Sequence, residues 1–285
     1  SITTGLTLLG GKSYTSTEGI HYFEIGNRAR PTLVFIHGFG DSKDSFLQAA
    51  GFLKQHFHLI IPDVPGFGKS MDLDEDYTLT AYSAFLGRFF SELGLNNFVL
   101  AGNSMGGAIT AQLAKDFGDK VSAAIIVNGA GIVIPEHRSL AHEFLEGDNI
   151  FFIEDHADLD RFLRRIFHRL PYIPKMIRNE LLFRYRERNQ KHQQMIIDLV
   201  THGMGSFPES IHEVESIDWL GEIDVPTLVL WGREDSLFPE PIAHHFHQQI
   251  KGSQLEFLDG IGHSPQIERP RVFAKSVLNF TKKLV

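Results

Sequence analysis

Ser104 lies in the run Gly102-Asn103-Ser104-Met105-Gly106, with one glycine two residues before it and another two residues after it. A serine hydroxyl is a weak nucleophile near neutral pH, and it attacks a carbonyl only when a histidine takes its proton and a carboxylate holds that histidine. The neighbours of Ser104 answer the geometric part of that requirement. Phe98–Ala101 reads as a buried strand and Met105–Lys115 as a helix, so the chain must turn sharply between them. Glycine on both sides removes side chains that would collide as strand and helix fold back on each other, and the hydroxyl is left at the apex. A helix N-terminus beside it favours developing negative charge. The same residues would also make a purely structural turn, so the assignment depends on partners.

Fifteen histidines compete for the role of base. His263, in Gly260-Ile-Gly-His-Ser-Pro265, follows the last predicted strand and precedes the C-terminal helix, which places it on a loop at the same sheet edge as Ser104. His244, His245 and His247 fall on a predicted amphipathic helix; without an H-E-x-x-H pattern or a second ligand cluster they read as surface residues, and no metal is expected. His37 opens His37-Gly38-Phe39-Gly40 after another strand and is expected to shape that loop. For the carboxylate, Asp235 lies four residues beyond the strand Thr227–Trp231, with Glu234 as its adjacent rival. Asp224 precedes that strand, at the wrong edge, and Asp259 is too close in sequence to His263 to reach its far ring nitrogen.

Acyl transfer also needs donors for a tetrahedral oxyanion. The backbone N–H of Met105, directly after the nucleophile, is one candidate, and that of Phe39 is the other. His-Gly-Phe-Gly would equally serve as a glycine-rich loop and no more. Asp63-Val-Pro-Gly-Phe-Gly-Lys-Ser70 is glycine-rich as well, but it lacks the spacing of a phosphate-binding loop and reads as a turn, so no nucleotide and no cofactor are implied.

These residues need a scaffold that brings strand ends together. Short apolar runs at His21–Ile25, Thr32–Ile36, Leu59–Ile61, Phe98–Ala101, Ala123–Val127, Thr227–Trp231 and Leu255–Leu258 suit parallel strands buried on both faces. Amphipathic stretches at Phe46–Gln55, Leu79–Leu93, Gly107–Phe117, Ile242–Gln249 and Pro270–Leu284 alternate with them, which predicts an α/β fold. The alternation stops between Val127 and Thr227, too long a gap for a structureless loop. Residues 135–220 are therefore expected to form an inserted helical cap, with helices at Asp158–Leu170, Pro174–Arg186 and Gln190–His202, on a core made of residues 1–134 and 221–285.

Composition excludes several classes. The chain of 285 residues is 42% hydrophobic, carries a net charge of −8 and has no cysteine. An acidic chain makes a poor ligand for a phosphate backbone, so nucleic acid is not expected as a partner. Disulfides and cysteine-ligated metals are ruled out. No run of about 18 apolar residues and no basic-then-apolar leader pattern is visible, and a cytoplasmic location is expected. Charge is uneven: Arg161–Lys191 contains ten basic and two acidic residues. That excess reads either as solvated helix faces or as a surface for peripheral contact with anionic lipid.

Together HGFG at 37–40, DVPGFGKS at 63–70, GNSMGG at 102–107, WGREDSLFP at 231–239 and GIGHSPQIERP at 260–270 resemble the α/β-hydrolase superfamily, in particular its bacterial lipase/esterase and monoacylglycerol-lipase branch. The resemblance implies a mostly parallel central sheet flanked by helices with an inserted cap. It also implies Ser104 as nucleophile, Asp235 as orienting acid, His263 as base, and the Phe39 and Met105 amides as oxyanion donors. The expected substrate is a small carboxylic ester, monoacylglycerol-like or with a short to medium acyl chain. Phe39, Phe144, Phe151, Phe152 and Ile153 are candidates to line the acyl slot, with His37, Gly38 and Asn103 bordering it; oligomeric state is not indicated. Two alternatives stand beside this. One is a carbon–carbon bond hydrolase of ring-fission products, whose elbow often includes Asn103 but which usually has tryptophan where this chain has Ser264. The other is a non-catalytic receptor for a hydrophobic ligand.

Overall fold

The strands divide their alternate residues between two cores. In β3 (Thr32–Ile36), Val34 and Ile36 join one core while Leu33 and Phe35 join the other. β5 (Phe98–Asn103), β6 (Val121–Val127) and β7 (Thr227–Gly232) do the same, as the period of two requires of a sheet covered on both faces. Helices α2 (Leu47–Leu53) and α10 (Pro270–Thr281) cover one face, where Phe35 stacks on Phe46 at 4.5 Å between ring centroids; α1 (Ile2–Leu8) precedes the sheet and the short α9 (Pro265–Glu268) leads into α10. Helices α3 (Leu79–Glu92), α4 (Met105–Asp116) and α8 (Glu240–Gln249) cover the opposite face.

The computed structural model describes residues 2–201, 209–214 and 216–283. Its sheet has the order β1-β2-β4-β3-β5-β6-β7-β8, with β1 (Lys12–Thr15), β2 (His21–Ile25), β4 (His58–Pro62) and β8 (Gln254–Leu258) completing the set. β3 to β8 pair in parallel, and β1 and β2 form an antiparallel edge. The chain therefore has the α/β-hydrolase architecture expected, and the carboxyl ends of β3, β5, β6, β7 and β8 share one edge. Strand β1 is the one the sequence concealed: all four of its residues are exposed, so Lys-Ser-Tyr-Thr shows no buried face to read.

Between β6 and β7 lie α5 (Leu140–Leu145), α6 (His156–Ile166) and α7 (Lys175–Thr201). Asp155 caps α6, its carboxylate accepting from the Ala157 and Asp158 amides at 2.7 and 2.9 Å. α6 stops at Ile166 rather than at Leu170, because Phe167 is already extended. The two helices expected at Pro174–Arg186 and Gln190–His202 are one continuous helix of 27 residues as far as Thr201. Nothing in Glu187-Arg188-Asn189 interrupts it, and the Asn189 amide is engaged elsewhere, bonding the Ile153 N–H and carbonyl at 3.2 and 3.0 Å. His202 and Leu284, the expected ends of two helices, lie outside the described residues.

Candidate active site

Ser104 joins β5 directly to α4 and has φ +60° and ψ −122°, a conformation that L residues rarely adopt. It is held there by its backbone: its N–H donates to the Val127 carbonyl at 3.0 Å, and its own carbonyl accepts from Gly107 at 2.8 Å and Ala130 at 3.0 Å. The glycines at plus and minus two are required by contact. A Cβ on Gly102 would overlap the Gly106 carbonyl, and one on Gly106 would overlap the Ile36 carbonyl at the end of β3. On the other side, a Cβ on Gly38 would lie 3.7 Å from Ser104 Oγ, so the loop after β3 runs close past the hydroxyl.

Asp235 follows β7 and His263 follows β8, and the His263 Nδ1 to Asp235 Oδ2 distance is 2.8 Å with both side chains buried. The carboxylate is fully engaged. Its other oxygen accepts from the Leu237 and Phe238 amides at 2.8 and 3.1 Å, and Asn128 Nδ2 donates to Oδ2 at 2.7 Å. Glu234 instead accepts from the Ile261 amide at 3.0 Å, a brace for the histidine loop rather than a partner of the imidazole. Among the described residues no hydrogen bond joins Ser104 Oγ to His263; both face one cavity, as described below, and such bonds tighten when a ligand is bound.

The buried Asn103 side chain fastens the elbow to the histidine loop. Its Nδ2 donates to the His263 carbonyl at 2.9 Å and the Val127 carbonyl at 3.1 Å, while its Oδ1 accepts from Gln266 at 2.9 Å. His37 is fully buried and borders neither cavity described below: its Nε2 accepts from the Val64 N–H at 2.9 Å, and its Nδ1 lies 2.8 Å from the Gly38 carbonyl. This ring ties the loop after β3 to the loop after β4. A second tie is the buried Lys43–Asp63 pair at 2.6 Å, where Asp63 also accepts from the Lys43 and Lys69 amides, each at 2.9 Å. The segment Asp63–Ser70 is thus a brace for the candidate oxyanion loop. The Phe39 N–H in that loop has no acceptor among the described residues. The Met105 N–H, at the first position of α4, has none within the helix.

Two cavities meet at Ser104. The smaller, about 150 Å³, is almost wholly apolar and is lined by Ser104, Met105, Phe144, Phe151, Leu199 and Val200 among others. The larger, about 560 Å³, carries His263, Asn103, Gly38 and Asp41 and opens under the cap between Tyr172 and Ile177. Phe39 and Phe151 border both. Phe152 is half-buried and Ile153 fully buried, and neither lines these cavities, because the turn at Asn149–Phe152 brings Phe151 alone to the site. Behind Phe39 sits His192 of α7, packed on Phe39, Phe67 and Tyr185 with no partner for either ring nitrogen among the described residues. Burial, with Arg188 and Lys191 beside it, lowers its pKa to about 4.

Sequence reasoning missed Asn128, Gln266 and the Ile166 carbonyl, which accepts the His263 N–H at 2.8 Å. Asn128 had a weak signal, an asparagine at the carboxyl end of β6 just before Gly129. It adopts φ +45° and holds both Asp235 and the Gly232 N–H, the latter at 3.0 Å.

Known proteins share this arrangement of elements. A family model described as alpha/beta hydrolase fold matches residues 31–270. Lipase 1 of Psychrobacter immobilis is 31% identical over 264 residues, covering 90% of this chain and 79% of the relative. Monoacylglycerol lipase abhd6-A of Xenopus laevis is 29% identical, covering 97% of this chain and 84% of the relative. The crystal structure of a membrane phospholipase A, a bacterial virulence factor, superposes with a TM-score of 0.89 at 27% identity, covering 99% of this chain and 89% of that one.

Proposed function

This chain belongs to the α/β-hydrolase fold family, and from that premise we propose that it is a carboxylic ester hydrolase of the lipase/esterase type working through Ser104. The observation that carries the reading is the buried 2.8 Å pair of Asp235 and His263 on the wall of a cavity that also holds the strained Ser104. In this reading His263 removes the Ser104 proton as Oγ attacks the ester carbonyl, and Asp235 fixes the ring so that Nε2 faces the reaction. The Phe39 and Met105 amides stabilise the oxyanion, an effect worth about 3–4 kcal/mol per donor. His263 then returns the proton to the leaving alkoxide, and a water activated by the same ring hydrolyses the acyl-enzyme.

The two cavities support a division of the substrate into halves. The proton must reach the alcohol, and His263 borders only the larger cavity, so the alcohol occupies that side. The acyl chain enters the apolar cavity lined in part by Leu199 and Val200. A monoacylglycerol or another ester with a short to medium chain meets both requirements, in keeping with the monoacylglycerol lipase name of the Xenopus relative.

A panel of p-nitrophenyl esters and monoacylglycerols of rising chain length tests this. Turnover should rise from acetate to a medium chain and then fall once the chain exceeds what a cavity of about 150 Å³ can hold, and Leu199→Phe should move the optimum to shorter chains. Turnover of a ring-fission diketone with none of any ester would favour carbon–carbon hydrolysis, and binding without turnover of either would favour a receptor.

A further inference from the structure

Among the described residues ten large apolar side chains are exposed, and five of them fall in one stretch of the cap: Leu170, Tyr172, Met176, Ile177 and Phe183. Tyr172 is 90% exposed and Met176 77%. Met176 and Phe183 are two turns apart on α7 and so lie on one face. The patch is continuous with the site, because Tyr172 and Ile177 also line the mouth of the cavity that holds Ser104 and His263.

The charge around the patch is mostly positive, although Glu187 is exposed there as well. Of the ten basic residues between Arg161 and Lys191, Arg161, Arg165, Arg178, Arg184 and Lys191 pair with Asp148, Glu143, Asp160, Glu180 and Asp72, and Arg188 bonds the Gly66 carbonyl. Arg164, Arg169, Lys175 and Arg186 are exposed and have no ion-pair partner among the described residues. Unpaired cations beside exposed apolar side chains complement a surface with anionic headgroups above acyl chains. No helix among the described residues is long and apolar enough to cross a membrane.

We propose that the Leu170–Phe183 face of the cap docks on a bilayer containing anionic lipid, with the mouth of the larger cavity turned toward the lipid. The docking stands on exposure and charge; only its use in drawing an ester from the bilayer rests on the hydrolase reading above.

The test is co-sedimentation of the full chain carrying Ser104→Ala, so that no lipid is consumed, with vesicles of phosphatidylcholine or of phosphatidylcholine mixed with phosphatidylglycerol. The mixed vesicles should bind it about tenfold or more tightly, with the advantage shrinking as salt rises. Lys175→Glu with Arg186→Glu should abolish the preference for anionic vesicles. Met176→Ser with Phe183→Ser should weaken binding to mixed vesicles while leaving turnover of a soluble short-chain ester, measured with Ser104 intact, unchanged. Equal and negligible binding to both vesicles would overturn the proposal. So would unchanged binding in the apolar double variant, or a dimer in sedimentation velocity that this double variant dissolves, since the patch would then be a contact between copies. Binding is read without turnover, so failure of the hydrolase assignment and failure of docking give different results.

Discussion

At the carboxyl edge of the sheet Asp235 accepts hydrogen bonds from Asn128, His263, Leu237 and Phe238, all out of solvent, whereas in the cap Arg161 and Asp148 meet at 2.7 Å with nearly half of each side chain exposed. The contrast extends to their surroundings. Around Ser104, each loop is bonded to its neighbour by buried amides, a buried ion pair or a backbone contact that only glycine allows. In the cap, the pairs of Arg161, Arg178, Arg184 and Lys191 are partly solvated, a class worth at most about 1 kcal/mol each. A site that must hold reacting groups to a fraction of an ångström is thus built from interactions that solvent cannot replace. The helices between β6 and β7 carry weaker, solvated pairs.

Disturbing the sheet edge should therefore cost far more activity than disturbing the cap. The largest effect is expected from Asp235→Asn, which keeps the shape but leaves His263 with the wrong proton. Steady-state kinetics should show kcat lowered by about four orders of magnitude with thermal unfolding little changed. A loss below tenfold would indicate that Glu234 or another acid holds the histidine.

Asn128→Ala comes next. Removing one hydrogen bond to a buried carboxylate corresponds to about 1.5–3 kcal/mol, hence roughly a ten- to hundredfold fall in kcat with KM nearly constant. A positioning role predicts that split, whereas a general loosening of the fold would raise KM as well and lower activity in proportion to the unfolded fraction.

The smallest effect sharpens the comparison from the cap side, where His192 is a buried exception. Its pKa falls from 6.5 to about 4 in the folded chain, so below pH 6.5 the unfolded chain binds a proton that the folded one refuses. Stability is thus lost progressively as pH falls from 6.5 toward 4. His192→Phe, placed among Phe39, Phe67 and Tyr185, should flatten the fall of Tm with acid over that range. An identical acid dependence in both proteins would show that other groups govern it.

What could be read in the sequence follows the same division. The placement of Ser104, Asp235 and His263 at one sheet edge is legible because each sits just past a strand with a local apolar signature, and parallel strands bring such loops together. Asn128 and Gln266 are not, since a neutral amide carries no pattern that names a partner 107 or 163 residues away. The junction of α7 was misplaced because the polar run around Asn189 looks like a loop, and only the Ile153 backbone across the cap explains why that asparagine is there. His37 and Phe152 drew attention through their neighbours, and packing turned one into a brace and left the other aside.

The central claim is that Ser104 is a nucleophile activated by its setting. Reaction of the native chain with a fluorophosphonate probe, followed by peptide mass analysis, tests it directly. The account predicts one adduct per chain, on Ser104, abolished by Ser104→Ala and strongly slowed by Asp235→Asn. No adduct on the native chain, or the same adduct yield in Ser104→Ala, would contradict it.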